Sequence, residues 1–267
     1  MPHRSRISHA ALCVVSLALT LVILLPVLYI AVGALSFDAS GGMHAPSLRN
    51  FAQAANSMPL VRQVFNSILV TVCQTLGQIV TAILAAYAIV FCDLKRPQLW
   101  MMVFLVSMMI PGETTLLSNY LSITDWGLID TIPAIFLPYL VQGFTVFLFR
   151  QAFQTFPKEL HEAALLDGAG HLRFLLSILL PVTRSAVIAA TINAAVAAWN
   201  GYFWPLLVTN SPENRTIQVG ITQLSGTESS NMGVVLAGSA IAIIPTLALT
   251  LIFNRQLRGM NVASGIK

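Results

Sequence analysis

The sequence predicts an all-α membrane protein with six transmembrane helices, on three observations. Of its 267 residues 56% are hydrophobic and only 9% are charged, with a mean hydropathy of +0.78. A soluble domain carries charge on about a quarter of its residues. Six apolar stretches, 11–35, 65–91, 99–118, 132–153, 184–208 and 231–254, each come near the roughly 20 apolar residues that a bilayer demands. The basic residues then divide unevenly across that map. Arg4, Arg6, Lys95, Arg96, Arg150, Lys158, Arg173, Arg184, Arg255, Arg258 and Lys267 fall on one side, against Arg49, Arg62 and Arg215 on the other. Eleven against three is a positive-inside bias, which places both termini in the cytosol. Asp38, Glu113, Asp125, Asp130, Glu213 and Glu228 lie at outer loops or span ends.

Composition also removes several function classes. The net charge of +4 bears on topology, and no nucleic-acid partner is expected. Cys13, Cys73 and Cys92 sit in or beside apolar runs, with no metal-ligand spacing and no even-numbered disulfide framework, so they read as buried thiols. His161-Glu162-Ala163-Ala164-Leu165 stops short of the H-E-x-x-H zinc helix, because Leu165 stands where a second imidazole must face the metal. No G-x-S-x-G elbow occurs, so neither a catalytic residue nor a metal site is expected. The chain lacks a G-x-x-x-x-G-K-[ST] loop and is not expected to bind ATP itself.

Taken in order, the first apolar run follows Arg4 and Arg6 as a signal peptide would, but it is long enough for a retained first helix. The outer segment 37–60 mixes Gly, Pro, Ser and Asn and suggests no independent domain. Residues 1–61 are therefore read as an N-terminal helix with its outer segment, and 62–267 as a five-helix core. The second span carries Asn66, Ser67, Thr71, Gln74 and Gln78 at helical spacing, for interhelical packing or for a wet pathway. Asp93 to Pro97 is a tight inner turn. Pro111-Gly112-Glu113 is expected to break or kink the third span near its outer end, ahead of Asn119 and the interfacial Trp126. Pro138 and Gly143 distort the fourth span, for rocking or merely for packing. The fifth carries Asn193 and the run from Trp199 to Pro205, whose rings either stack on sugar rings or anchor in an interfacial belt. Gly233, Gly238 and Ser239 favour close packing of the last span.

Between the fourth and fifth spans lies a polar island, Glu162 to Ala169, followed by Ile178 to Pro181. A helix of about 10 residues is about 15 Å long, half a bilayer, so this element does not span. Pro157 suits its first turn and Gly168 the residue just past its end. Asp167 caps nearby amides or pairs with Arg173, and local capping is the favoured expectation.

Glu162-Ala163-Ala164, three residues, Gly168, nine residues, Ile178, one residue, then Leu180-Pro181 resembles the EAA loop of ABC importer permeases. Asn66-Ser67, Ala86-Tyr87-Ala88, Pro111-Gly112-Glu113, Leu148 to Gln151, Phe156 to Leu160, Trp199-Asn200 and Phe203 to Leu207 are similar to the carbohydrate-uptake branch of that family. The resemblance covers roughly 62–265. It implies a type I importer permease with a cytoplasmic coupling loop at about 156–181, in a bacterial inner membrane. It also implies a second homologous permease, two ABC ATP-binding subunits that bind the ATP and Mg, and an extracytoplasmic solute-binding protein. The chain itself would be no enzyme and would hold no cofactor. ATPase coupling would fall on Glu162, Ala163, Ala164, Asp167, Gly168, Ala169, Ile178 and Pro181, with Pro181 setting the start of the fifth helix. Asn66, Asn119, Trp199, Asn200 and Tyr202 are the candidate substrate-pathway residues. The solute would be a sugar or sugar-like compound, with glycerol 3-phosphate or its diesters as the alternative. An ion-coupled secondary transporter is the rival of a different class. It fits less well, because the charges cluster at span ends and no inverted repeat is evident.

Overall fold

The structure, a computed structural model, describes residues 3–39, 41–227 and 231–264; Glu228, Ser230 and Lys267 lie outside the described residues. Apart from one isolated bridge, Phe37 with Met43, every regular element among the described residues is helical. The chain divides into two compact units, Met1–Leu60 with Gly220–Ile244, and Val61–Val219 with Pro245–Lys267.

In the first unit, α1 (His3–Ser36) contains the run Leu12–Ser36, long and apolar enough to cross a bilayer. Its C-terminal end packs Ala34 and Phe37 against Leu236 and Ala237 at the start of α14 (Met232–Ser264). The turn after α1 is tied back by Ser47 N–H to the Leu35 carbonyl at 2.9 Å and His44 N–H to the Ser36 carbonyl at 2.8 Å. It leads into α2 (Arg49–Ser57), whose Asn50 amide donates to the carbonyls of Ala34 and Phe37. Ala54 is buried against Leu224 and Val234. A Cβ on Gly233 would sit 2.3 Å from the Phe37 carbonyl, so only glycine allows this approach.

The second unit is built on α3 (Leu60–Phe91). Gln63, Asn66, Ser67, Val70, Gln78, Ile79, Ala82 and Ala86 are buried on one face, while Phe65, Leu69, Val72, Leu76, Val80 and Leu84 are exposed on the other. Polar groups inside and large apolar groups outside suit a solvent of hydrocarbon, where unpaired polar groups are costly. The third expected span is two helices, α4 (Pro97–Met109) and α5 (Gly112–Asp125), bent by 96°. The break at Pro111 comes after 13 residues, about 20 Å of helix, rather than near the outer end of a single span. The fourth expected span is likewise bent by 48°, between the segment Ile132–Tyr139, which holds α6 (Ile132–Phe136), and α7 (Gly143–Gln154). Gly143 passes so close to α4 that a Cβ there would lie 2.5 Å from the Phe104 carbonyl.

The expected fifth span, 184–208, is also not continuous. α8 (Lys158–Leu166) and α9 (His171–Phe174) lead through a π turn, Leu175–Leu179, into α10 (Leu180–Val182). The chain then bends by 84° into α11 (Arg184–Trp199), and α12 (Phe203–Val208) follows after Asn200-Gly201-Tyr202. The Asn200 side-chain amide donates to the Val196 carbonyl at 2.9 Å and closes the end of α11. α13 (Ile217–Thr227) leads to α14, one continuous helix that runs through the expected sixth span, 231–254.

Two side-chain clusters hold the second unit. Around α8 they are aromatic, with Phe149, Phe153, Phe156, Phe174 and Tyr87 buried together. Around α12, Trp204 and Val208 pack on Val70, Ile123 and Ile135. Beside the second cluster, Asp130 clasps two loops. Its carboxylate accepts from the amides of Asn210 (2.8 Å) and Ser211 (2.9 Å) and from the Ser211 hydroxyl. Burial pulls the Asp130 pKa upward, but the bonds from Ser211 and Asn210 outweigh it and hold the carboxyl below its ordinary value.

Candidate functional site

Two features of the second unit have the chemistry of function, a short helix with one open side and a cavity with several amides in its wall. Nine residues make α8 about 13 Å long, far short of a span. Pro157 stands just before it, at φ −61° and ψ 126°, so it precedes the first turn and lies outside it. At the other end Asp167 is the last cap residue and Gly168 turns left-handed at φ +77°. Gly168 N–H then reaches the Leu165 carbonyl at 3.0 Å, and Ala169 N–H the Ala164 carbonyl at 2.9 Å. That pair of reversed bonds is a Schellman end, which satisfies carbonyls that a fraying helix leaves open. The Asp167 side chain makes neither a cap nor an ion pair with Arg173 among the described residues. The turn is closed by the backbone, so the favoured capping role is not seen.

One side of α8 is fixed. Ala164 is buried, and the His161 ring lies 4.9 Å from Phe91 and 4.6 Å from Phe174. The other side is open: Glu162 and Ala163 are exposed, Leu160 is 51% exposed and Leu166 is 90% exposed. Next along the chain, the Tyr87 hydroxyl hydrogen-bonds His171 Nδ1 at 2.9 Å and ties α9 to α3. Ile178 is half-buried in the π turn, and Pro181 is exposed in α10. Pro181 lacks the N–H that would bond four residues back, and the widened π turn lies just ahead of it. The bend itself falls at Thr183, two residues beyond Pro181, where the Thr183 hydroxyl donates to the Leu179 carbonyl at 2.7 Å. The helix that follows therefore starts at Arg184.

The second feature is a cavity of about 400 Å3 between α3, α7, α11 and α12. Its wall includes Gln74, Gln142, Asn193, Tyr202 and the pair Gln78–Thr145, joined by a bond of 2.6 Å. Of the candidate pathway residues, the cavity takes in Tyr202 and none of the other four. Asn66 is buried, with its amide given to the carbonyls of Glu213 (2.7 Å) and Arg215 (3.0 Å), so it fastens a loop. Asn119 is half-buried on α5, Trp199 is buried, and Asn200 is spent on the end of α11 and on Thr246. The aromatic run is divided: Trp199 and Trp204 are buried, Trp204 donating its indole N–H to the Ala134 carbonyl at 3.0 Å, while Phe203 is 57% exposed. Gln74, Gln78 and Asn193 carried a sequence signal, as amides inside apolar spans. Gln142 lies within the expected span 132–153 and carried the same signal, while Thr145, in the first turn of α7, carried none.

Comparison with known proteins agrees with this architecture. Residues 6–261 match the family described as the binding-protein-dependent transport system inner membrane component. The permease protein UgpE of the sn-glycerol-3-phosphate transport system of Rhizobium meliloti is 34% identical over 214 residues, 79% of this chain and 76% of that protein. The UgpE of Agrobacterium fabrum is 38% identical over 199 residues, 73% of this chain and 70% of that protein. The UgpE of Yersinia pestis is 30% identical over 265 residues, 93% of this chain and 94% of that protein. Among solved structures, a chain of a bacterial ABC transporter involved in the import of the acidic polysaccharide alginate superposes with a TM-score of 0.82. At 21% identity it covers 96% of this chain and 98% of its own length, and it supports the fold alone. The chain therefore belongs to the inner-membrane permease family of binding-protein-dependent ABC importers.

Proposed function

We propose that the chain is one of two homologous permeases in a carbohydrate-type importer, and that α8 is its cytoplasmic coupling helix. In this reading the six apolar segments each cross the inner membrane and both termini lie in the cytosol. Residues 1–61 supply the N-terminal helix and outer segment, and 62–267 the five-helix core. The observation that carries it is α8: too short to span, stiffly closed at Gly168, seated on aromatic rings, and open on its far side. Ala163 lets a partner surface come close, Leu166 offers it an apolar contact, and Glu162 offers a carboxylate to a basic or amide group. That partner is one of two separate ATP-binding subunits, which bind the ATP and Mg and carry out the hydrolysis.

The path of force follows from the packing. Movement of α8 reaches α9 through Ala169 and the Phe174 ring, and then passes through Ile178, Pro181 and the bend at Thr183 to α11. Closure of the ATP-binding subunits draws the coupling helices together and opens the pathway outward, and hydrolysis resets it. An extracytoplasmic binding protein delivers the solute, a sugar or sugar-like compound. The names of the relatives favour a second reading of the cargo, glycerol 3-phosphate or its diesters. The test is purification through a tag on this chain after co-expression with its neighbouring genes. An ATP-hydrolysing subunit in the complex and ATP-dependent solute uptake in proteoliposomes are expected. Complexes that never contain such a subunit overturn the reading.

A further inference from the structure

We propose that the cavity between α3, α7, α11 and α12 is a solute subsite for an uncharged polyhydroxyl compound, an inference that rests on the permease reading and narrows its cargo. Three amides face this space, those of Gln74, Gln142 and Asn193, and none of their side chains has a hydrogen-bond partner among the described residues. Gln74 lies 14 residues into α3, about 21 Å from one end and about 26 Å from the other, so it sits at mid-depth in the span. Hydrocarbon does not solvate an amide there, so such groups need a neighbouring helix, water or a ligand. The adjacent Gln78 and Thr145 show what a structural pair looks like at this depth, because they bond to each other at 2.6 Å. The three free amides have no such partner and converge on an opening of about 400 Å3, within the roughly 300–1,000 Å3 of small-molecule sites.

The chemistry of the wall selects the ligand. An amide donates through nitrogen and accepts through oxygen, as a sugar hydroxyl both donates and accepts. Tyr202 adds a ring with an apolar face and a hydroxyl at its rim. Among the described residues, no Asp, Glu, Lys, Arg or His lines the cavity. A phosphoryl or carboxylate group entering at this depth would lose its water and meet no cation from this chain, a cost that a polyol escapes. The wall thus disfavours the solute named in the UgpE relatives and accepts a neutral sugar or sugar alcohol.

The experiment uses the complete importer, with both permeases, the ATPase and the binding protein, reconstituted in proteoliposomes. Radiolabelled maltose, trehalose, raffinose and sorbitol are compared with sn-glycerol 3-phosphate and an alginate trisaccharide. ATP-dependent accumulation of a neutral compound and of neither anion is expected. Gln142→Leu and Asn193→Leu replace each amide with an apolar side chain of similar size, and each should lower that uptake about tenfold. Co-purification of the ATPase with each variant confirms that it assembles. Accumulation of either anion overturns the proposal, as does failure to accumulate any neutral compound in a complex whose ATPase is intact. Variants that assemble and transport at the native rate overturn it too. Absence of the ATPase from the purified complex instead strikes the permease reading beneath it.

Discussion

Replacing Gly168 with valine isolates the contribution of one backbone angle to coupling. The residue sits at φ +77°, and a Cβ built there meets nothing within 4 Å. No clash confuses the result, so the change acts through the left-handed conformation alone. That conformation costs an L-residue about 1–2 kcal/mol, with β-branched side chains at the upper end. The favoured turn should therefore fall in population by a factor of about 5–30, with loss of both reversed bonds to Leu165 and Ala164. Asparagine tolerates this region best, so Gly168→Asn should lose least, Gly168→Ala more and Gly168→Val most. The assay is the ratio of ATP hydrolysed to solute imported in the reconstituted complex, which should rise in that order. A valine variant with the native ratio would refute the idea that α8 must end stiffly.

Three further predictions concern the scaffold. Asn66→Ala leaves the carbonyls of Glu213 and Arg215 without their amide donor and should cost about 1–3 kcal/mol per buried group. Faster hydrogen exchange along 210–217 and a lower Tm check it, and an unchanged exchange pattern counts against a fastening role. Gly143→Ala forces a Cβ to 2.5 Å from the Phe104 carbonyl, and the overpacking should cost about 1–3 kcal/mol, read as a lower Tm. Asp130 has a depressed pKa in the folded protein, so its contribution is complete above its ordinary value of 3.8. It is lost as pH falls through the folded pKa, below that value, and acid unfolding should lose this component in Asp130→Asn. An identical acid limb in that variant refutes the clasp.

What the sequence made legible is what short-range chemistry determines. Charge-poor composition declares hydrocarbon as the solvent, and Pro111-Gly112 declares a broken helix because proline removes a donor and crowds the turn before it. Gly168 declares a left-handed turn, since a glycine after a short helical run is the commonest way to end one. The remainder depended on distant partners. Asn66 looks like a pathway residue until the loop 147 residues later takes its amide. Trp204 looks like a belt residue until the Ala134 carbonyl, 70 residues earlier, takes its indole N–H. The bend at Thr183 lacks a local marker of its own, and Pro181 drew attention away from it. Gln142 lies in a kink whose geometry alone turns it to the cavity.

The most direct measurement places one side chain. Leu166 is 90% exposed at the tip of α8, and Leu166→Cys can be made in a background with Cys13, Cys73 and Cys92 changed to serine. Treated with a bifunctional thiol reagent, that position should cross-link to a cytoplasmic ATP-hydrolysing subunit and stay unlabelled by a membrane-impermeant maleimide added to intact cells. Labelling from outside, with no cross-link to a nucleotide-binding partner, would contradict the account.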